Sequence, residues 1–561
     1  MMPRLAIAMD LGTSGFRAQA LDLGSGEMLS TAITTRHPLP GANVIDHLHF
    51  ALELGVETAR DLMIQAINQV IAQLRVSAGD VVRLAVCGNP TQLSLFQGME
   101  IRDLAFAGSR KLLALGVVPP KRAAAIRSAV EFPGLVLPGE CAVIIPPAVH
   151  DEIGADTLAL ILQTGMLQDG ETTIAIDYGT NAEMVLAHEG RIYTGSAAAG
   201  PALEGQHISC GTLAIPGAIA DLEPVGDKHR LIVLNPEMRP VPGSLIYLRE
   251  AVEIAAAAGP KALAITGTGV IAALDQAIEA GLIALPHIRT ADSRLHFGKD
   301  IFLTEKDLSE AGKAIGAVRA GYFTLSVAAG IAPAEIHTAY LAGASGTYMD
   351  ALKARRLGLI PPRVKAVRQV GNTSLAMARE LVMTPEKLQE MSDLAGRLQK
   401  THCMFALSKT FASVFILELS HWTEGMPMAK YRELLSRYRL PDLPAVDAEP
   451  QVHRTVKQDI AEPGRIGLVT LEHVGMVAAL PLDGCIGCMT CVQVCPGNAI
   501  SIRQDTNPPT IFLDHALCNG VACRRCEPGC PTKVFHLNDF FDLTLGRKAA
   551  EDDSARSKRW R

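Results

Sequence analysis

Apolar residues recur along this chain in two rhythms. Short runs such as "LAIAM" and "VRLAV" stop at an Asp or at a glycine turn and predict strands. Longer stretches repeat at helical spacing. Between Leu54 and Leu74 the residues Leu62, Met63, Ala66, Ile67, Val70 and Ile71 fall on one helix face. From Glu305 to Ala329 the same holds for Leu308, Ala311, Ile315, Val318, Tyr322 and Leu325. "KALAITGTGV" and "HTAYLAGASG" each read as a strand running into a glycine turn.

The strand pattern occurs twice. "IAMDLGTSGFRAQALDLGSGEML" begins at Ile7 and "IAIDYGTNAEMVLAHEGRIYTG" at Ile174. Each predicts a strand ending in Asp, a Gly-containing turn, a second strand, another Gly turn and a third strand. Asp10 aligns with Asp177, Gly12 with Gly179 and Thr13 with Thr180, at a separation of 167 residues. The expected fold is therefore a duplicated α/β unit, with halves at 1–165 and 166–440. After residue 440 the pattern fades. "RLPDLPAVDAEPQ" holds three prolines and little periodicity, so 441–468 reads as a linker. A compact cysteine-rich α+β domain is expected over 469–540. The basic "RSKRWR" within 541–561 reads as a solvated, disordered tail.

Composition narrows the function. A chain of 561 residues is too long for one core. A net charge of −6 argues against nucleic acid, which needs clustered Lys and Arg. No apolar run approaches the roughly 20 residues that span a bilayer. "LAIAM" is too short for a signal peptide, so no membrane association and a cytoplasmic location are expected. Of twelve cysteines, eight lie between Cys485 and Cys530, which in a reducing compartment points to metal rather than disulfides. Cys87, Cys141, Cys210 and Cys403 are isolated and read as small buried hydrophobes.

The Asp–x–Gly–Thr turns suit a nucleotide. A carboxylate at the strand end can hold Mg²⁺, directly or through water. Glycine lets the backbone approach phosphate oxygens, to which exposed N–H groups and the Thr hydroxyl donate. Two copies in a duplicated fold would face each other across a cleft. Glu183 reads either as a group that orients an attacking water or as a surface glutamate at a strand edge. His402 and His421 read as packing or hydrogen-bonding groups. "AAGPALEGQHISCG" reads equally as a nucleotide or partner loop and as a structural loop.

The cysteine runs suit iron–sulfur clusters. Cys485–x₂–Cys488–x₂–Cys491–x₃–Cys495–Pro is the bacterial ferredoxin spacing, whose fourth cysteine reaches to the neighbouring cluster. Cys518–x₄–Cys523–x₂–Cys526–x₃–Cys530–Pro ends the same way. That rule assigns Cys485, Cys488, Cys491 and Cys530 to one 4Fe–4S cluster, and Cys518, Cys523, Cys526 and Cys495 to another. Zinc, a plant-type 2Fe–2S loop, or a second site with Cys518 pushed out of reach are the alternatives.

"DLGTSG", "DYGTNAE" and "YLAGASGTYMD" resemble the two phosphate motifs and the adenosine motif of the ATPase superfamily of actin, sugar kinases and heat-shock chaperones, which implies a duplicated ribonuclease-H-like fold. The resemblance implies Asp10 and Asp177 as Mg²⁺- and water-positioning carboxylates, and ATP as ligand. It implies Thr13, Ser14, Thr180 and Asn181 as phosphate contacts, with Gly343 and Gly346 near adenosine. "ITGTGV" at 265–270 is a second candidate for that last role.

Nearly the whole chain further resembles the reductive activators of corrinoid proteins, of the type serving methylamine methyltransferases. "IAMDLGTSG", "GANVIDHL", "AIDYGTNAEM", "AAGPALEG", "YLAGASGTYMD" and "VGNTSLAMA" carry the likeness. It implies ATP-dependent reduction of Co(II) to Co(I) in a corrinoid protein, with electrons from a low-potential donor. Relatives with an N-terminal 2Fe–2S domain are set aside, since this chain starts almost at the first phosphate turn. The logic is that an acceptor well below its donor stays oxidised unless other free energy is coupled, each ~59 mV costing tenfold. Competing expectations are an activator of a radical dehydratase or aryl-CoA reductase, and a small-molecule kinase with a regulatory cluster domain.

Overall fold

A computed structural model describes residues 4–544, apart from 42, 107, 150–151, 206, 256–258, 399–400, 447, 457–459, 461, 473, 476 and 522. The first half is built on a meander of β1 (Leu5–Leu11), β2 (Phe16–Asp22) and β3 (Met28–Thr34). Helices α1 (Val44–Leu54) and α2 (Val56–Gln73) follow, then β4 (Val81–Gly88), α3 (Pro90–Gln97), β5 (Ala125–Ser128), β6 (Ala142–Ile145) and α4 (Ala155–Thr164). β4 lies parallel to β1, and β6 parallel to β4, so the core order is β3-β2-β1-β4-β6. β1 is buried throughout, as its continuous apolar run requires of a strand covered on both faces.

The second half repeats this plan. β7 (Thr173–Tyr178), β8 (Ala182–His188) and β9 (Arg191–Ala197) form the meander. β10 (Thr338–Ala342) lies parallel to β7 and β11 (Ala366–Gly371) parallel to β10, giving β9-β8-β7-β10-β11. A five-stranded sheet is inserted after β9 and leads into α5 (Gly267–Glu279) and the long α6 (Glu305–Ala329). The expected helix over 305–329 is thus present at its expected bounds. α7 (Gly343–Tyr348) leaves β10, and α8 (Thr373–Met383) leaves β11.

The duplication sets the geometry of the cleft. Asp10 nears the end of β1 opposite Arg17 of β2, as Asp177 nears the end of β7 opposite Glu183 of β8. The α4 and α8 helices, which occupy matching places in the two halves, pack on each other between the sheets. Both chemical turns therefore open towards one shared cleft.

The segment expected as a plain linker does more. Within 441–468, Gln451–Arg454 forms β12, parallel to β11 at the edge of the second sheet. Gly467–Leu471 forms β13, parallel to β3 at the edge of the first. One segment thus adds an edge strand to each half. β12 is exposed at all four positions, so no apolar alternation marks it.

The cysteine domain has its own antiparallel sheet of Val477–Pro481, Ile500–Arg503 and Thr510–Asp514. The expected tail boundary moves: α9 (Leu537–Thr544) carries the chain past residue 540. Phe540 and Phe541 are fully buried there, and Phe541 meets Phe50 of α1 edge-on at 4.9 Å. The remaining residues of the expected tail, 545–561, lie outside the described residues.

Candidate functional site

The first phosphate turn joins β1 to β2. Gly12 has no room for a side chain, since a Cβ there would stand 2.8 Å from the Gly15 carbonyl oxygen. Thr13 Oγ1 accepts from Asn89 Nδ2 at 2.9 Å. Asn89 is also the N-cap of α3, its own oxygen accepting from the Gln92 amide. Ser14 Oγ lies 3.0 Å from Thr180 Oγ1 of the second turn, so the two turns meet. Both hydroxyls also bond to the Glu204 carboxylate.

Carboxylates crowd this cleft. Asp10, Asp156, Asp177, Glu183 and Glu204 all line it, with Gly12, Thr13, Gly179, Thr180, Asn181, Gly343 and Asn372, and with Arg17 as the cationic side chain. Desolvation pushes the Asp177 carboxyl up to about 8, reinforced by Asp156, Asp10 and Glu204 and opposed by Arg17. Asp156 is raised to about 6, first by desolvation and with Asp10 adding to it. Glu183 is raised well above its ordinary value by burial, then by Asp156 and Asp177. Glu183 is 7% exposed, so the surface-glutamate alternative is set aside.

This excess negative charge fits a divalent cation. Among the described residues no three acidic, His or Cys groups converge on a single ion position.

The adenosine candidates are both near the cleft but differ in kind. Gly343 has φ +78°, and a Cβ there would stand 2.2 Å from Asp177 Oδ1, so only glycine lets the turn sit against that carboxylate. Gly346 is held by packing instead, facing the Leu341 backbone at 3.0 Å. In 265–270, Gly267 and Gly269 press on the carbonyls of Leu203 and Ile219. Thr266 and Thr268 nonetheless share a small neighbouring hollow with Ala344, Ser345 and Arg17.

Several residues of the cleft were not singled out by sequence. Asp156 stands in the first turn of α4. Asn372, the N-cap of α8, donates from Nδ2 to Asp10 Oδ2 at 2.7 Å. Asn89 and Glu204 complete the set. Their available signal was position: Asn89 and Asn372 each cap a helix directly after a strand ends in glycine.

None of the eight clustered cysteines is in a disulfide, and they fall into two groups. Cys485, Cys488, Cys491 and Cys530 line one hollow with Leu482, Ile502, Ile511 and Phe535. Burial pushes the Cys491 thiol up to about 11, and Cys485, Cys488 and Cys530 raise it further. In the other group, burial pushes Cys518 up to about 12, with Cys495 and Cys523 adding to it. Cys526 is raised in the same way, with Cys518 and Cys495 among its neighbours. Cys518 therefore stands within reach of its set despite the longer spacing. Four thiols lining one hollow fit the chemistry of an Fe–S cluster.

The groups differ in exposure. Cys488 is exposed, beside Ile486 at 66%. The Cys518 carbonyl instead accepts from the Gly41 amide of the first half at 3.1 Å. Arg524 pairs with Glu53 of α1. His402 and His421 lie outside the cleft: His402 faces Thr194 and Glu152, and His421 Nδ1 lies 2.7 Å from the Met426 carbonyl. Among the described residues no helix is long and apolar enough to cross a membrane.

Comparison with known proteins agrees with this layout. Residues 5–169 match the model of the RACo middle region, 171–432 that of the C-terminal ASKHA domain of RACo, and 484–534 that of a 4Fe-4S dicluster domain. A solved reductive activator for corrinoid, iron–sulfur protein superposes with a TM-score of 0.62 at 24% identity, covering 75% of this chain and 66% of that one. The corrinoid activation enzyme RamQ of Eubacterium limosum is 25% identical over 426 residues, 69% of this chain and 65% of the relative. The [Co(II) methylated amine-specific corrinoid protein] reductase of Methanosarcina barkeri is 46% identical over 516 residues, 92% of this chain and 95% of the relative. The chain belongs to the family of corrinoid protein reductases that this Methanosarcina barkeri enzyme represents.

Proposed function

We propose that this protein is an ATP-dependent reductase that returns an inactive Co(II) corrinoid protein of a methylamine-type methyltransferase system to Co(I). The observation that carries the reading is the contact between Gly41 and Cys518, which seats the thiol-rich domain on the half that bears the first phosphate turn. A nucleotide cleft and an electron relay are thereby parts of one packed unit.

The cleft residues divide the work. The turns at Gly12–Ser14 and Gly179–Asn181 hold the phosphates through backbone N–H groups and the Thr and Ser hydroxyls. Asp10 and Asp177 hold Mg²⁺ in company with phosphate oxygens. Asp156 and Glu183 stand beside them as the groups that orient the attacking water, and the raised proton affinity of Asp156, at about 6, suits proton acceptance near neutrality. Gly343 brings the adenosine turn against Asp177. Asn372 ties Asp10 to the opposite half, so hydrolysis alters a bond that spans the hinge.

In the thiol-rich domain Cys485, Cys488, Cys491 and Cys530 hold one 4Fe–4S cluster and Cys495, Cys518, Cys523 and Cys526 the other. Bound clusters supply one-electron transfer at low potential. The exposed Cys488 side serves as the port for redox partners. The electron donor is a low-potential carrier.

The test is anaerobic. Purified protein, a chemical reductant and ATP are mixed with corrinoid proteins of methylamine-type systems while the Co(I) absorption band is followed. Co(I) should form only with ATP. Phosphorylation of a metabolite in place of Co(I) formation would favour the kinase alternative instead.

A further inference from the structure

Two buried histidines lie between the phosphate turn and the cluster domain. His37 and His47 stack with ring centroids 4.0 Å apart and planes 21° apart. Gln92 of α3 spans them: His37 Nε2 lies 2.9 Å from Gln92 Oε1, and Gln92 Nε2 lies 2.8 Å from His47 Nδ1. Leu39 donates its amide to His37 Nδ1 at 3.0 Å. These partners fix both rings as neutral tautomers, His37 carrying its proton on Nε2 and His47 accepting at Nδ1. Burial agrees, holding His37 well below its ordinary value and His47 down to about 3.

This group is connected at both ends. Towards the cleft, α3 begins at Asn89, which holds Thr13. A second link runs from Gly15, where a Cβ would stand 2.8 Å from Thr34 Oγ1. Thr34 Oγ1 in turn accepts from Phe16 and donates to the Arg36 carbonyl, the residue before His37. Phe16 meets His37 edge-on at 5.2 Å.

Towards the cluster domain, the loop after His37 runs to Gly41, whose amide holds the Cys518 carbonyl. Gly41 has φ +103°, and a Cβ there would stand 2.2 Å from Asp46, so the bend is a glycine-only one. Its backbone lies close enough to His47 to offset part of that ring's shift, though short of a well-formed hydrogen bond. Pro40 packs on Gly520.

Close-packed buried side chains have few alternative arrangements, so a shift at one end is passed on rather than absorbed. The motif "GANVIDHL" acquires a reason here: Gly41 makes the bend, Asn43 caps α1, and His47 closes the stack. We infer that Gln92 and the stacked His37–His47 pair are positioning residues that couple phosphate binding at Thr13 to the loop bearing Cys518, making the Cys518 thiol set, and not the Cys488 set, the nucleotide-responsive cluster site. This rests on the nucleotide and cluster assignments proposed above.

Hydrogen exchange is followed in the anaerobically purified, cluster-loaded full chain, with and without Mg²⁺ and a non-hydrolysable ATP analogue. Exchange should slow several-fold at the Gly41 amide and across 515–521, and stay unchanged across 484–492. In Gln92→Leu, iron content and analogue binding should persist while that slowing is lost. If Gln92→Leu does not fold, His37→Phe takes its place, keeping a ring in the stack while breaking both bonds. An analogue that binds without slowing 515–521, an equal response at 484–492, or a response that survives the substitution would overturn the coupling and leave the nucleotide assignment standing. An analogue that does not bind at all would remove that assignment and the coupling with it.

Discussion

The Asn372 side-chain amide donates to Asp10 across the cleft at 2.7 Å, joining the helix that leaves the second sheet to the strand at the centre of the first. The same side chain caps α8 through its oxygen, which accepts from the Leu375 amide at 2.8 Å. One residue thus fixes a helix start and a hinge-spanning bond. Asn372→Ala removes both. A hydrogen bond to a charged group contributes about 1.5–3 kcal/mol. ATP-dependent activation should therefore fall roughly ten- to hundredfold, read as kcat/KM for ATP, while iron content stays at the wild-type level.

Gly343 offers a steric test of the nucleotide site. An alanine there adds a methyl 2.2 Å from Asp177 Oδ1 at a backbone angle of +78°. Left-handed strain costs about 1–3 kcal/mol, and the displaced carboxylate adds to it. Gly343→Ala should lose ATP binding in equilibrium dialysis while the visible cluster spectrum is unchanged. Gly346→Ala, which meets packed backbone and not the cleft, should instead lower thermal stability.

The Asp177 carboxyl gives a pH signature. Its folded value of about 8 is above the ordinary carboxylate value of about 3.9. A raised carboxyl stabilises the fold in its neutral form: that contribution is full below about pH 4 and is lost as pH rises through about 8. Metal-free protein should therefore melt at lower temperature as pH climbs from 6 to 9. Mg²⁺ must displace the proton, so its apparent affinity should rise about tenfold per pH unit up to about 8, with proton uptake by buffer seen calorimetrically. Asp177→Asn should flatten both dependences.

The crossed thiol sets are separable by double substitution. Cys485→Ala with Cys530→Ala empties one site and should cut iron from about eight to about four per chain, as either change alone does. Cys523→Ala with Cys530→Ala removes one ligand from each site and should leave almost no iron. Uncrossed sites would reverse this pattern in iron analysis and low-temperature EPR.

What the sequence disclosed follows from how local each signal is. Asp10, Asp177 and the eight thiols sit in motifs whose residues are a few positions apart, and their spacing is itself the chemistry. The duplication was readable because Asp, Gly and Thr recur at matching places in two similar strand–turn–strand patterns. Asp156 and Glu204 were not, because only packing of α4 against α8 and the meeting of the two turns brings them to the cleft. β12 escaped notice because an edge strand exposed at every position needs no apolar pattern. The Phe50–Phe541 contact joins residues 491 apart, and nothing local in "HLNDFFDLT" announces its partner.

The central claim is that ATP raises the Co(I) population beyond what the electron donor alone can sustain. The direct measurement poises the donor at a fixed potential and reads the Co(I) fraction of the corrinoid protein by absorbance, with wild-type protein and with Asp177→Ala. The account predicts a Co(I) fraction well above the Nernst value with wild type and ATP, and the Nernst value without ATP or with Asp177→Ala. A wild-type fraction that stays at the Nernst value whether or not ATP is present would contradict it.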